Sequence, residues 1–236
     1  MSTLITYKIV SDTDGKLKSA AKLACAFWNK YVLAQSSIVI RLGEFTSLGN
    51  TIARAYKPYN QGNMVYGRIE FNTKFLQTFS ESEIVGTIIH EIGHTLGFGW
   101  DRWMKLFDTN TGDFYQKYVD MLPELSDMEV ETDYGEGTTL SHWDEKTHGA
   151  ELMTGFKNEA EFVLPITIDV TSLLGHVVAE RLTEKSSLVG IIDDLRGIQF
   201  TRVNEAKQLD RDFFKQTEIW EEIYTDKRAP IRPNKT

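Results

Sequence analysis

The chain has 236 residues, 41% hydrophobic and 25% charged, which fits one folded domain with extensions and excludes a disordered chain. Its net charge of -8 argues against nucleic acid or an anionic membrane as a partner, because both attract clustered Lys and Arg. The single cysteine, Cys25, excludes an internal disulfide and any zinc site with two or more cysteine ligands. A metal site must therefore depend mainly on His and carboxylate side chains.

The first part of the chain has alternating strand and helix signals. Leu4 to Val10 is typical of a strand, and apolar residues at three- and four-residue spacing predict a helix over Lys16 to Val32. Three more strands are expected, at Ser37 to Leu42, Thr51 to Tyr56 and Met64 to Phe71. The last of these is expected to be an edge strand that pairs with a peptide by β-augmentation.

A second long helix is predicted after these strands. Ser80 and Glu83 form a capping box, which places the helix start just before Ile84. Its apolar residues predict burial, and Gly97 is a typical C-terminal stop. This helix carries the segment His90-Glu91-Ile92-Gly93-His94.

The rest of the chain gives weaker signals. Residues 100–139 are rich in acid and are interpreted as an insertion with a little helix. Ile166 to Arg181 is expected to be helical, Leu188 to Phe200 gives a mixed signal, and Asn204 to Tyr224 is a charged segment of helical character. Ala229 to Thr236, with two prolines, is interpreted as a tail.

The pair His90 and His94 matches the pattern H-E-x-x-H. Residues four apart on a helix lie one turn above each other, with Cβ atoms roughly 5 to 6 Å apart, so both imidazoles can bind one tetrahedral zinc ion. Glu91 then lies beside the metal, where it can take a proton from a zinc-bound water of pKa about 7. This pattern predicts a zinc site with Glu91 as general base.

A catalytic zinc site needs a third protein ligand and one open position for water. His142, His148, His176 and any carboxylate are the candidates, and spacing alone does not choose among them.

The segment HEIGHTLGF resembles the metzincin signature, in which H-E-x-x-H is followed by a glycine and a turn that brings in a third histidine. Trp100 stands at the position of that histidine in most metzincins. The chain is similar instead to the leishmanolysin family, where a long insertion precedes the third ligand. The blocks Ser141-His142-Trp143 and Glu151-Leu152-Met153-Thr154-Gly155 resemble the third-ligand and Met-turn blocks of that family.

The resemblance implies roles for individual residues. His142 is expected to be the third zinc ligand, and Met153 the Met-turn methionine below the metal. His148 and His176 are then expected to be loop or packing residues. Gly155 stands where an astacin-type tyrosine ligand would be, so no tyrosine ligand is expected. The chain lacks the cysteine-rich regions of the leishmanolysin family, so secretion, membrane anchoring and zymogen control do not carry over.

The predicted fold class is α+β, a metzincin-like catalytic domain with a twisted mixed sheet, an active-site helix and a Met-turn lower subdomain. This domain is expected over residues 1–185, with the insertion at about 98–141. Residues 186–236 form a C-terminal extension. Its large apolar side chains suit either docking on a protein partner or packing on the enzyme's own surface: Phe213, Phe214, Ile219, Trp220, Ile223 and Tyr224.

The predicted function is that of a zinc-dependent metalloendopeptidase acting on peptide or protein substrates. The alternative is a structural or assembly protein, for example of a phage particle, that retains a metzincin fold and zinc site. From the lack of a basic, apolar leader and of a long apolar run, we expect no signal peptide, no membrane span and no propeptide ahead of the first predicted strand. We therefore expect no membrane partner and synthesis in the cytoplasm, and association with a virus particle stays open.

Overall fold

The computed structural model describes residues 4–198 and the strand at 227–233. Its strands are β1 (Ile5–Ile9), β2 (Val32–Leu33), β3 (Ser37–Phe45), β4 (Ala53–Tyr56), β5 (Tyr59–Gln61), β6 (Met64–Asn72), β7 (Phe156–Lys157), β8 (Phe162–Val163), β9 (Val177–Val178), β10 (Ser186–Ser187) and β11 (Lys227–Pro233). Its α-helices are α1 (Lys16–Tyr31), α2 (Thr73–Leu76), α3 (Glu81–Leu96), α4 (Gln116–Val119), α5 (Glu145–His148), α6 (Pro165–Asp169) and α7 (Leu188–Ile198). Short 3-10 segments lie at Trp103–Lys105, Pro123–Asp127 and Val170–Ser172.

The main sheet is mixed, and its path runs β1, β3, β6, β4, β11, β7. β1, β3 and β6 are parallel neighbours, whereas β4 and β5 both pair antiparallel with β6. Strands β3 and β6 are long, and most of their residues are buried. The predicted α+β class and the mixed sheet are therefore confirmed.

The position of β6 differs from the expectation for this segment. The prediction that Met64 to Phe71 forms an edge strand is wrong, because β3 pairs with β6 along its whole length on one side. On the other side β5 pairs with its beginning and β4 with its end. Because strands lie on both sides of β6, an incoming strand must use another edge of the sheet.

Helices α1 and α3 pack against each other and against the sheet, and this layer holds the core. The apolar spacing predicted for α1 gives a buried stripe that includes Leu17, Ala24 and Trp28. The indole N–H of Trp28 donates to the carbonyl of Ile89, 2.8 Å away, which joins α1 to the middle of α3. Cys25 is buried in the same layer.

The prediction of a helix over Ile166 to Arg181 is wrong. The chain forms only α6 and one 3-10 segment, and it then turns through Gly175, whose φ is +100°. It next forms β9, which pairs antiparallel with β2. The apolar spacing continues past Ser172, but the backbone leaves the helical conformation to make this pair.

The predicted C-terminal extension begins with ordered structure. Helix α7 extends over most of the segment that gave a mixed signal, and it packs on α1 and α3 through Leu188, Ile191, Ile192 and Leu195. Residues 229–233 of the segment expected to be a tail belong to β11. The predicted helix at Asn204 to Tyr224, with its aromatic residues, lies outside the described residues. No helix in the described ranges is both long and apolar enough to cross a membrane.

Candidate metal centre

Helix α3 positions two of the three predicted ligands. Its capping box is present, with Ser80 accepting from the backbone N–H of Glu83 and the Glu83 carboxylate accepting from the N–H of Ser80. This fixes the start of the helix, so His90 and His94 lie one turn apart on the same face with ring centroids separated by 4.7 Å. Both side chains are buried.

His142 comes from the segment between the 3-10 turn at Pro123–Asp127 and α5. Two backbone hydrogen bonds fix the backbone at His142 against Glu131. The N–H of Leu140 donates to the carbonyl of Glu131, and the N–H of Glu131 donates to the carbonyl of His142. Leu140 has a φ of +62°, in the left-handed region that non-glycine residues rarely adopt. The result is a fully buried His142 ring, 5.0 Å from the His90 ring and 4.9 Å from the His94 ring.

The three imidazoles turn the same nitrogen toward one another. The Nε2 atom of His90 lies 2.9 Å from the Nε2 atom of His94 and 3.2 Å from that of His142. Each Nδ1 atom instead faces a backbone carbonyl, at Leu152 for His90, Phe98 for His94 and Thr138 for His142, at 2.7, 3.1 and 2.9 Å.

These contacts fix the tautomers and indicate a cation. A carbonyl oxygen only accepts hydrogen bonds, so each Nδ1 carries the proton of a neutral ring and each Nε2 carries a lone pair. Three lone pairs at this separation repel one another unless a positive ion lies between them. A tetrahedral zinc ion with nitrogens at 2.0 to 2.1 Å requires nitrogen pairs about 3.3 Å apart, close to the separations here. The residues fit a metal ion.

Electrostatics favour the neutral form of the ligands. Burial first, and the neighbouring imidazoles second, lower the pKa of His90 and of His94 well below the ordinary histidine value. A neutral imidazole is the form that binds a metal. The three buried histidines can therefore hold a metal ion, and they form the one cluster of metal-binding groups found among residues 4–198.

Glu91 is fully buried beside His90. Neither of its carboxylate oxygens makes a hydrogen bond of normal geometry within the described part of the chain. Burial raises the pKa of Glu91 well above its ordinary value, and the nearby backbone N–H of Ala55 in β4 opposes that shift. A buried carboxyl group without a hydrogen-bond partner is costly, which makes Glu91 a candidate functional residue.

Met153, the predicted Met-turn methionine, packs directly against α3. A Cβ atom built on Gly93 would lie 2.7 Å from the Sδ atom and 2.9 Å from the Cε atom of Met153. Since Met153 is fully buried, only a glycine between the two histidines leaves space for it. The carbonyl of Met153 also accepts from the N–H of Trp143, next to His142.

A buried carboxyl group, whose role was not predicted from the sequence, holds this turn together by hydrogen bonds. Glu151 accepts hydrogen bonds from the N–H groups of Met153 and Leu164 and from the Thr167 hydroxyl. That hydroxyl accepts in turn from the indole N–H of Trp143 at 2.9 Å. Burial raises the pKa of Glu151 to about 7. Its place two residues before Met153, in an otherwise apolar stretch, is the signal that could have identified it.

The remaining histidines lie apart from the cluster. The Nε2 atom of His176 donates to the carbonyl of Leu96, and its Nδ1 atom accepts from the N–H of Gln35, so His176 caps the end of α3. His148 lies at the end of α5 and is not in the cluster. Trp100, at the usual metzincin ligand position, donates from its indole to the carbonyl of His94 at 2.7 Å.

Comparison of the chain with protein-family models gives no match, and comparison with curated proteins gives none either. The arguments for its function therefore come from the residues and their geometry.

Proposed function

We propose that the protein is a zinc-dependent metalloendopeptidase with a metzincin-like catalytic domain of the leishmanolysin type. The observation that carries the proposal is the convergence of three buried imidazoles, with a buried carboxyl group directly after the first of them in sequence. His90, His94 and His142 are the ligands, Glu91 is the general base, and Met153 packs below the site.

The donor set favours zinc. Three imidazole nitrogens form a borderline-soft site, and a three-histidine set with one open position is typical of catalytic zinc. Each ring is also fixed from behind by a carbonyl, an arrangement that orients metal-binding histidines and raises their basicity. Among the described residues, no carboxylate joins the cluster, so the ligand set itself stays neutral.

The chemistry divides between the ion and the chain. When bound, zinc supplies Lewis acidity, which acidifies water and polarises the carbonyl of the scissile bond. Glu91 takes the proton of the attacking water on a carboxylate oxygen, and the same carboxyl group later donates it to the leaving amine. Its oxygens are available for this role because neither makes a hydrogen bond of normal geometry in the described part of the chain.

The surrounding fold supports the metzincin-like assignment. The order of β1, α1, β3, β4, β6 and α3 agrees with the elements predicted from the sequence, and Met153 contacts the residue between the two histidines. The long segment between Gly97 and His142 contains little helix, as expected for an insertion.

The experiment separates metal binding from hydrolysis. We expect Glu91→Ala to retain one zinc per chain while hydrolysis of a mixed peptide library falls by several orders of magnitude, and His142→Ala to lose both. Zinc is measured on the purified protein by elemental analysis. Unchanged hydrolysis in Glu91→Ala would contradict the assigned base. Stoichiometric zinc without any hydrolysis would favour the structural or assembly protein instead. This outcome must hold both in the wild type and in a variant whose C-terminal strand β11 is destabilised by proline substitutions.

A further inference from the structure

The C-terminal strand adds to the edge of the sheet that borders the metal centre. Within residues 4–198, β4 pairs on one side with β6. On its other side it pairs antiparallel with β11, where Lys227 lies opposite Tyr56, Arg228 opposite Ala55 and Ile231 opposite Ala53, with an irregularity between Arg228 and Ile231. This is an intramolecular form of β-augmentation.

The same strand also reaches the other side of the centre. Arg232 and Pro233 pair in parallel with Phe156 and Lys157 of β7. Strand β7 follows directly on Gly155, where an added Cβ atom would lie 3.5 Å from the Nδ1 atom of His142. β11 is therefore hydrogen-bonded on both of its edges.

The position of β4 places β11 beside the catalytic groups. Strand β4 packs against α3, and the backbone N–H of Ala55 in β4 lies beside the Glu91 carboxyl group. A strand between β4 and β7 thus connects the segment beside the proposed base with the segment beside the third histidine. An extended peptide that is to be cut must lie along this same path.

We propose that residues 227–233 occupy the peptide-binding groove of their own chain and block it. This inference rests on the proposed peptidase function. The occupant is held by main-chain ladder bonds to β4 and β7, as a substrate would be, so a substrate can bind only when β11 leaves. The groove is defined by β4 and β7, and not by β6, which is covered on both sides.

The composition of the segment makes this block reversible. Two of its seven residues, Pro230 and Pro233, have no backbone N–H and cannot donate to a ladder. Pro230 lies within the irregular part of the pairing with β4. A proline-free peptide of equal length can make more ladder hydrogen bonds than β11. Such a peptide can therefore compete with β11, even though β11 is covalently joined to the rest of the chain.

The test uses full-length variants that differ only in backbone donors. Arg228→Pro combined with Ile231→Pro removes two N–H groups from β11, whereas Arg228→Ala combined with Ile231→Ala changes the same side chains and keeps both. Hydrogen exchange of the β4 amides, read by mass spectrometry, needs no hydrolysis. We expect exchange at least tenfold faster in the proline variant and unchanged in the alanine variant. Equal exchange in the two variants would overturn the pairing.

Blocking is tested by binding, in a Glu91→Ala background that cannot cut. The probe is a fluorescent heptapeptide with the sequence of residues 227–233. We expect about tenfold tighter binding to the proline variant than to the alanine variant, and equal affinities would overturn the block. β4 protection that grows with protein concentration would assign the strand to a second copy and overturn the intramolecular form. If no variant hydrolyses peptides while exchange and binding behave as expected, only the proposed peptidase function fails.

Discussion

Gly93 and Met153 touch at the centre of the site, since an added Cβ at position 93 would lie 2.7 Å from the Sδ atom of Met153. The methionine is fully buried, so it has little space into which it can move. The contact links the helix that carries His90 and His94 to the turn that follows His142. The packing of this glycine therefore limits how closely the helix and the turn can approach each other.

We predict that Gly93→Ala destabilises the protein by about 1–3 kcal/mol, the usual range for overpacking, and weakens zinc binding. In a Met153→Ala background the added methyl group has space, so the same change should cost much less. Chemical denaturation of the four proteins gives this coupling as a double-mutant cycle.

The control is Gly197→Ala on α7, where an added Cβ meets nothing within 4 Å. A helical glycine with open space around it should gain about 0.5–1 kcal/mol from alanine. Additive effects of the Gly93 and Met153 substitutions would contradict the packing argument.

The parts of the site that depend on local periodicity could be predicted from the sequence. A helix converts the spacing of His90 and His94 into a shared face, and the capping box at Ser80 fixes its start. His142 is different, because the approach of a loop depends on tertiary contacts that the residues near it do not encode. Only the resemblance in its surrounding block indicated it.

The order of the strands in the sheet also could not be predicted from local sequence. The alternating pattern of Met64 to Phe71 is compatible with an edge or a central strand, since strand neighbours are set by long-range pairing. The prolines at 230 and 233 led to the prediction of a tail, although proline is tolerated at strand ends and irregularities. Glu151 was missed because its partners, including Thr167, lie on a later segment.

Individual histidine variants should divide into two groups. Alanine at His90, His94 or His142 removes a nitrogen from the cluster, and we expect zinc affinity to fall by orders of magnitude in each case. His148→Ala is the matched control, because His148 is buried to an intermediate degree but lies outside the cluster, and it should retain one zinc per chain. Competition with a chelator of known affinity measures the difference. Zinc loss in His148→Ala would require a different ligand set.

The Thr167 hydroxyl should contribute more to the free energy of unfolding than its small size suggests. Thr167→Val keeps the shape but leaves the indole N–H of Trp143 and one Glu151 oxygen without their hydroxyl partner. We expect a loss of about 2–4 kcal/mol in the free energy of unfolding, since two buried polar groups are affected.

Thr171→Val is the control for that loss. The Thr171 hydroxyl is also buried, but it donates only to the carbonyl of Ile168, so the expected loss is about 1 kcal/mol. Equal losses in the two variants, measured by denaturant unfolding, would show that the network through Glu151 adds nothing.

Glu151 should also give the fold a pH dependence. Burial raises its pKa from 4.5 to about 7 in the folded chain, so between these values the folded state holds a proton that the unfolded state has lost. The free energy of unfolding therefore falls as pH rises from 4.5 through 7, by on the order of 3 kcal/mol for this group, and no further above that.

Glu151→Gln cannot titrate, so wild type should lose stability relative to this variant over that window. The two proteins are compared by denaturant unfolding at pH 5, 6, 7 and 8 with the metal removed from both, because zinc binding is itself pH-dependent. A difference that stays constant across these pH values would show that the Glu151 carboxyl group titrates equally in the folded and unfolded chains.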